Sequence, residues 1–182
     1  NASGSFVYAL TGVSESSGTA CTNTVSGTAT VTVNPLPTAT ITGTTAVCKN
    51  GTQPTITFTG ADATAPYTFT YTINGGSSQT VTTTSGNSVT VNAPTNASGS
   101  FVYALTGVRE SSGTACTNTV SGSATVTVNP LPTATITGTT AVCKDATNPT
   151  ITFTGADATA PYGFTYTING GASQTVTTTS GN

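Results

Sequence analysis

The chain repeats itself with a period of 95 residues, and this period constrains the fold more than any other feature of the sequence. Residues 1–87 can be compared with residues 96–182, and 80 of these 87 positions are identical. A unit of this length is long enough to form a domain with its own hydrophobic core, unlike the short unit of a solenoid. The sequence therefore predicts a tandem array of similar domains.

The boundary between repeats is marked by the hexapeptide Val-Asn-Pro-Leu-Pro-Thr, which occurs at 33–38 and again at 128–133. Placing the boundary there divides the chain into the end of one repeat (1–34), a complete repeat (35–129) and the beginning of the next (130–182). The linkers consist of Pro35, Leu36 and Pro37, and of Pro130, Leu131 and Pro132. Because proline fixes φ near −65°, we predict stiff, extended linkers, with Leu36 tucked between neighbouring domains.

Charged side chains are scarce: the chain has 3 Lys or Arg, 5 Asp or Glu and a net charge of −2. This composition excludes the basic surface of a nucleic-acid-binding protein and the basic face of a membrane-surface helix. No apolar run approaches the roughly 20 residues that span a bilayer, so this segment is not expected to cross a membrane. Thr supplies 48 of the 182 residues, and its β-branched side chain suits an exposed strand.

Alternation of large and small side chains predicts strands throughout the complete repeat. The clearest example is 67–73, where aromatic or aliphatic residues alternate with Thr, and Asn74-Gly75-Gly76 follows as a hairpin turn. No segment has helical periodicity. We therefore predict an all-β fold, in which each 95-residue repeat is an immunoglobulin-like β-sandwich of about seven short strands. The predicted aromatic core consists of Tyr67, Phe69, Tyr71, Phe101 and Tyr103.

Four cysteines without any histidine make no metal-ligand pattern, so structural disulfides and an extracytoplasmic location are predicted. We predict that Cys48 pairs with Cys116 inside the complete repeat, which would close a loop of 68 residues. The alternative joins neighbouring repeats through Cys21–Cys48 and Cys116–Cys143.

The residues that usually carry catalysis form no recognisable constellation. The chain has no histidine to act as a general base, and its five carboxylates lie apart on predicted loops: Glu15, Asp62, Glu110, Asp145 and Asp157. Asp62 has no second acidic residue near it to complete a calcium site. We therefore predict no catalytic residue, no metal site and no cofactor. Three Asn-x-Ser/Thr sequons begin at Asn1, Asn50 and Asn96.

Several strings of the complete repeat resemble a known repeat type. They are Ala65-Pro66-Tyr67-Thr68-Phe69-Thr70-Tyr71-Thr72-Ile73-Asn74-Gly75-Gly76, Val47-Cys48, the strand from Gly99 to Val108, and the ending from Val120 to Pro130. They are similar to the PKD-like, immunoglobulin-like repeats of giant Bacteroidota surface adhesins of the Flavobacterium type, including gliding-motility filaments. The resemblance implies a β-sandwich fold, type IX secretion and a place on the bacterial cell surface, and it carries no catalytic residue.

Near-identity of the copies favours a structural function, because a shaft needs many equivalent units. The expected function is therefore the shaft of a long extracellular adhesin or filament, in which neighbouring repeats are the partners. An alternative is a glycan- or surface-binding module that binds surface polysaccharide through the loops 60–66 or 109–115. A further alternative is an accessory region of a secreted enzyme.

Residues 1–34 and 130–182 are complementary parts of one repeat and together supply 87 of its 95 positions. The equivalents of Ser88 to Thr95 are the ones not supplied. Two interpretations stay open. The sequence is a stretch of a longer continuous polypeptide, or separate chains complete one another head to tail as in donor-strand assembly.

Overall fold

A computed structural model describes residues 2–111, 113–179 and 181. All elements in this part of the chain are β-strands, and it contains no helix. The strands of the first partial repeat are β1 (Gly4–Leu10), β2 (Val13–Ser14), β3 (Thr22–Asn23) and β4 (Gly27–Val33). Those of the complete repeat are β5 (Thr38–Thr42), β6 (Thr45–Cys48), β7 (Thr55–Ala61), β8 (Tyr67–Ile73), β9 (Gln79–Thr82), β10 (Ser88–Asn92), β11 (Gly99–Glu110) and β12 (Thr117–Asn129). The last partial repeat contains β13 (Thr133–Thr137), β14 (Thr152–Ala156), β15 (Gly163–Tyr166) and β16 (Gln174–Thr177).

The chain divides into two compact units. The first consists of Asn1–Gly43, Thr55–Asn92 and Val102–Ala124, and the second of Thr44–Pro54, Ala93–Phe101 and Thr125–Asn182. The first unit holds β1 to β5 and β7 to β10, and the second holds β6 and β13 to β16. The long strands β11 and β12 contribute residues to both.

The complete repeat has a three-stranded sheet in the order β10-β7-β5 and a five-stranded sheet in the order β6-β12-β11-β8-β9. Strand β7 pairs antiparallel with β5 and β10, and β8 pairs antiparallel with β9 and β11. The short strand β6 pairs in parallel with the end of β12. Strand β9 lies at a sheet edge. The arrangement confirms an all-β fold and is consistent with a β-sandwich.

The core of the complete repeat is aromatic, because the period-2 pattern of β8 turns Tyr67, Phe69 and Tyr71 to one face. The ring of Phe58, from β7 in the other sheet, lies 5.7 Å from Phe69 and 4.9 Å from Tyr71. The stacked Phe58–Phe69 pair and the tilted Phe58–Tyr71 pair join the two sheets. Tyr103 completes the row 6.2 Å from Tyr71. Burial raises the pKa of the Tyr71 phenol, and burial and then the neighbouring Tyr71 phenol raise that of Tyr103.

The predicted aromatic core is therefore confirmed for Tyr67, Phe69, Tyr71 and Tyr103, whereas Phe101 is only half-buried. The predicted turn after β8 is also present, since Asn74 and Gly75 have φ of 50° and 69°. Both values suit a tight hairpin. Strand β11 continues to Glu110, so Arg109 and Glu110 belong to a strand and not to the predicted loop.

The expectation for Leu36 is wrong, because its side chain is exposed and the following Pro37 is buried. In an extended segment neighbouring side chains point to opposite sides. The carbonyl oxygen of Pro37 accepts a hydrogen bond of 2.9 Å from Asn118 Nδ2, which fixes Pro37 against the complete repeat. Burial of Pro37 therefore turns Leu36 outward.

The partial repeats form smaller sheets. Strand β1 pairs with β4 and β2 with β3, whereas β13 pairs with β14 and β15 with β16. Residues 140–143 repeat the sequence of β6 but are not a strand.

Candidate functional site

Both loops that the sequence indicates as binding candidates line one cleft, together with the first linker. The cleft has a volume of about 360 Å³. Its lining residues are Asn34, Pro35, Ala63, Thr64, Glu110, Gly113 and Thr114. Ser112 of the second loop lies outside the described residues. All the lining residues belong to the first compact unit, and we take this cleft as the candidate site.

The loop between β7 and β8 is held by Tyr67, the first residue of β8. The Tyr67 hydroxyl donates to the carbonyl oxygen of Ala63 and accepts from the Ala63 amide at 3.2 Å. The Tyr67 amide in turn donates to Thr83 Oγ1 at 2.9 Å. A backbone hydrogen bond of 2.9 Å from Ser111 to Pro66 ties this loop to the end of β11. The two loops therefore form one structured wall of the cleft.

Glu110 is the one charged residue of the described chain that is buried, and it lies in the floor of the cleft. Its Oε1 accepts a hydrogen bond of 3.1 Å from the Cys116 amide and one of 3.5 Å from Thr114 Oγ1. Buried carboxylates are stabilised by such donors. Glu110 thus closes the loop that follows β11.

Glu15 occupies the same position in the first partial repeat and makes the same bonds in an exposed setting. Thr19 Oγ1 donates to Glu15 Oε1 at 2.8 Å, and the Cys21 amide donates at 3.1 Å. The bond from Thr19, followed by those from Cys21, lowers the pKa of the Glu15 carboxyl from 4.5 to about 2. This carboxylate-closed turn is not among the features predicted from the sequence. The signal that would have found it is the spacing Glu-x3-Thr-x-Cys, which occurs at both positions.

Two asparagines hold the linker that borders the cleft. Asn34 Nδ2 donates to Thr114 Oγ1 at 2.5 Å, and Asn118 Nδ2 donates to the Pro37 carbonyl oxygen. The first bond joins the last residue of the first partial repeat to the loop between β11 and β12 of the complete repeat, and the second joins the linker to the start of β12. The linker is therefore held by specific hydrogen bonds as well as by its prolines.

Asp62 acts within its own repeat. Its Oδ2 accepts a hydrogen bond from Thr38 Oγ1 at the start of β5, and Asp157 accepts one of 2.6 Å from Thr133 in the same way. Both Asp residues have φ of 65°. The Asp62 carboxylate thus anchors β5 to the loop after β7, and the Asp157 carboxylate anchors β13 to the loop after β14. Within the described residues, no group of three or more His, Cys, Asp or Glu side chains is placed to hold a metal ion.

The cysteines are all free in the structure. Cys48 lies opposite Asn129, the last residue of β12, whereas Cys116 directly precedes Thr117, the first residue of that strand. A strand of 13 residues rises about 3.3 Å per residue, and a disulfide needs Cα atoms within about 7 Å. The structure therefore does not bring Cys48 and Cys116 together.

The cleft offers hydroxyl groups, backbone amides and one buried carboxylate, which is a set that can form hydrogen bonds with a polar ligand. Comparison with protein-family models, with curated proteins and with solved structures found no significant match. Across the described residues, no helix is long and apolar enough to cross a membrane.

Proposed function

We propose that this chain is a structural segment of a long extracellular adhesin or filament, in which immunoglobulin-like repeats act as semi-rigid spacers. The observation that carries the proposal is the linker. Asn34, the last residue of the first partial repeat, is bonded to Thr114 of the complete repeat, and the linker residue Pro37 is bonded to Asn118 of the complete repeat. A linker held in this way transmits orientation from one repeat to the next, which a spacer requires and a flexible tether does not.

The repeat pattern supports the same proposal. The copies are identical at 80 of 87 comparable positions, and the differing positions leave the buried aromatic row unchanged. A shaft needs equivalent units, whereas a receptor needs one differentiated site. The surface location and the type IX secretion route rest on the resemblance to Bacteroidota surface repeats and belong to this proposal.

Stiffness of the linker is the direct test. Spin labels at Val7→Cys and Ser88→Cys, with all four native cysteines replaced by Ser, report the distance between the two repeats in a pulsed electron resonance measurement. We expect a narrow distance distribution that broadens in Asn34→Ala/Asn118→Ala. Replacing Pro130 and Pro132 by Gly is the matched control, since those prolines are exposed. A broad distribution in the unaltered protein would contradict the spacer.

A second candidate function is glycan binding in the cleft, favoured by the convergence of both loops and the linker on one polar volume. Its test is a glycan array followed by titration of any sugar that binds. Binding in the cleft should be abolished by Thr64→Arg and retained in Thr159→Arg, its counterpart in the last repeat. Saturable binding with that dependence would replace the spacer by a recognition module. Absence of binding would leave the spacer as the better proposal.

A further inference from the structure

The two cysteines of the complete repeat lie at opposite ends of strand β12, and each lies beside a different seam between repeats. We use the word seam for the hexapeptide Val-Asn-Pro-Leu-Pro-Thr, which occurs at 33–38 and at 128–133. Cys116 directly precedes the first residue of β12, and Cys48 lies opposite Asn129, the last residue of that strand. Each repeat therefore carries one cysteine towards each of its two neighbours.

At the first seam, Cys116 is connected to Asn34 through a single threonine. The Cys116 thiol donates to Thr114 Oγ1 at 3.8 Å, and Asn34 Nδ2 donates to the same oxygen at 2.5 Å. All three residues belong to the first compact unit. The cysteine in the β11–β12 loop of a repeat therefore lies next to the asparagine that ends the repeat before it.

At the second seam, Cys48 lies next to the asparagine that ends its own repeat. Cys48 and Asn129 are in-register partners of the parallel pair β6–β12, and the Lys49 amide donates to the Asn129 carbonyl oxygen at 2.8 Å. In-register partners on neighbouring strands lie about 4.8 Å apart and point to the same face of the sheet. Both side chains are exposed, and all three residues belong to the second compact unit.

Asn34 and Asn129 occupy the same position in the two seams, because the hexapeptides are identical and 95 residues apart. Where two whole repeats meet, one asparagine therefore has two cysteine neighbours. Cys48 of the repeat that it ends lies on the face to which its side chain points. That side chain in turn binds Thr114 beside Cys116 of the repeat that follows.

We propose that Cys48 of each repeat forms a disulfide with Cys116 of the repeat that follows it. This bond rests on the proposed function, because it requires whole repeats joined in tandem. It differs from both pairings that the sequence suggests, which are Cys48–Cys116 within one repeat and Cys21–Cys48 between repeats.

The bond forms by thiol–disulfide exchange with an oxidant of the disulfide class, such as oxidised glutathione. The thiolate of one cysteine attacks the oxidant, forms a mixed disulfide and releases one thiol. The thiolate of the second cysteine then attacks the mixed disulfide and releases the other thiol. The cysteine pair gives up two electrons and two protons, and the oxidant is reduced to two thiols. An extracellular location preserves the product.

A disulfide at the seam gives neighbouring repeats a second covalent connection beside the Pro-Leu-Pro linker. Rotation about the linker alone can then no longer separate the two repeats. A load along the array passes through both connections. The cysteines therefore reinforce the orientation that the hydrogen bonds of Asn34 and Asn118 already hold.

The chain lengthened by one period tests the bond, because it contains both cysteines of one seam. This polypeptide consists of residues 1–182 followed by a second copy of residues 88–182, which continues the 95-residue period. It has six cysteines, since the added copy contributes Cys116 and Cys143 again. After treatment with oxidised glutathione at low protein concentration, we expect titration of the denatured polypeptide to find four free thiols in place of six.

Serine substitutions identify the two partners. Cys48→Ser and Cys116→Ser in the added copy should each abolish the disulfide. Cys116→Ser in the original copy and Cys21→Ser should leave it intact. The two copies of Cys116 are matched, since their neighbours in sequence are the same.

Three results would overturn the disulfide: six free thiols, a disulfide lost on replacing the original Cys116 or Cys21, or covalent dimers on a non-reducing gel. The spin-label measurement of the spacer uses a chain without native cysteines, so the two tests fail separately. A narrow distance distribution there, with six free thiols here, removes the disulfide and leaves the spacer. A broad distribution there contradicts the spacer even where the disulfide forms.

Discussion

Residues 38–48 and 133–143 have the same sequence and adopt different structures. In the complete repeat this stretch forms β5 and β6, whereas in the last partial repeat it forms β13 and then continues without a strand. The part that forms in both copies pairs with a strand close by in sequence, β7 or β14. The part that differs pairs with β12, about 80 residues further along the chain. Short-range pairing therefore persists without the rest of the sandwich, and long-range pairing does not.

The burial of side chains also differs between the complete repeat and the partial repeats. The sheets β13–β14 and β15–β16 keep the ring contacts of the complete repeat, but their aliphatic neighbours are open to solvent. Strand β11, with its register shift between Leu105 and Gly107, is likewise continuous in the complete repeat. In the first partial repeat the corresponding residues, which differ only in Ser14 for Arg109, are divided into β1 and β2 around that position. A bulged strand stays continuous where a neighbouring strand such as β8 supports both of its ends.

The largest expected difference between the copies comes from one isoleucine. Ile56 is 0% exposed and its counterpart Ile151 is 49% exposed. Ile56→Ala should lower the free energy of unfolding by about 2–5 kcal/mol, because it leaves a cavity in a packed core. Ile151→Ala should lower it by less than about 1 kcal/mol, since the side chain is already half in water. Urea denaturation at low protein concentration measures both.

Equal destabilisation by the two substitutions would mean that the last partial repeat is packed as tightly as the complete one. Thr57→Ala and Thr152→Ala are suitable controls, since both side chains point away from the core face. Neither should change the unfolding midpoint appreciably.

A smaller difference in stability between the copies is expected from Gly60 and its counterpart Gly155, which lie against the first tyrosine ring of each aromatic row. A Cβ added at Gly60 would lie 2.6 Å from the Tyr67 ring, and one at Gly155 would lie 2.4 Å from the Tyr162 ring. Tyr67 is fully enclosed, so Gly60→Ala should destabilise the complete repeat by about 1–3 kcal/mol. Tyr162 is at the side of an open groove and can move away, so Gly155→Ala should cost less.

Thermal unfolding of the two Ala variants is the measurement, and Gly113→Ala is the control, since a Cβ there meets nothing within 4 Å. A larger loss for Gly155→Ala than for Gly60→Ala would contradict the idea that the open groove gives its rings room to move.

Sequence patterns predict the local part of this structure well and the long-range part less well. The alternation in 67–73 identifies the strand, its buried face and the turn at Asn74, because each depends on neighbouring residues. The outward orientation of Leu36 depends on Asn118, which is 81 residues from the Pro37 carbonyl that it binds. No local pattern carries that information. The hydrophobic character of Leu36 suggested the opposite orientation.

The candidate cleft shows the same limit. Both of its loops are recognisable from sequence as turn-rich segments, but nothing local indicates that they meet or that the linker joins them. The sequence places Glu110 on a predicted loop, and nothing in its neighbourhood indicates burial, since a carboxylate is rarely buried. Its burial follows from donors at 114 and 116, and only the recurrence of that spacing at 15, 19 and 21 makes the pattern visible in advance.

A still smaller difference in stability is expected between Asn118, which binds the linker, and its counterpart Asn23. Asn118→Ala removes the donor to the Pro37 carbonyl oxygen and should lower the stability of the complete repeat by about 1 kcal/mol. Asn23 holds the same place in the first partial repeat, where it is exposed. Asn23→Ala should therefore leave the unfolding midpoint unchanged. The same loss in both variants would show that the amide acts within its own hairpin and not on the linker.

The smallest expected effect is confined to the exposed turn 15–21, where no burial assists the carboxylate. The pKa of Glu15 is lowered to about 2 because the ionised form accepts the bonds from Thr19 and Cys21. A lowered pKa means that the turn is stabilised at pH above the usual value of 4.5 and loses this stabilisation as the pH falls towards 2. Carboxyl NMR titration should give a midpoint near 2, and Thr19→Ala should raise it towards 4.5, whereas Thr11→Ala should not. A midpoint unmoved by Thr19→Ala would mean that the Cys21 amide alone holds the carboxylate. The Glu-x3-Thr-x-Cys spacing would then close the exposed turn without its threonine.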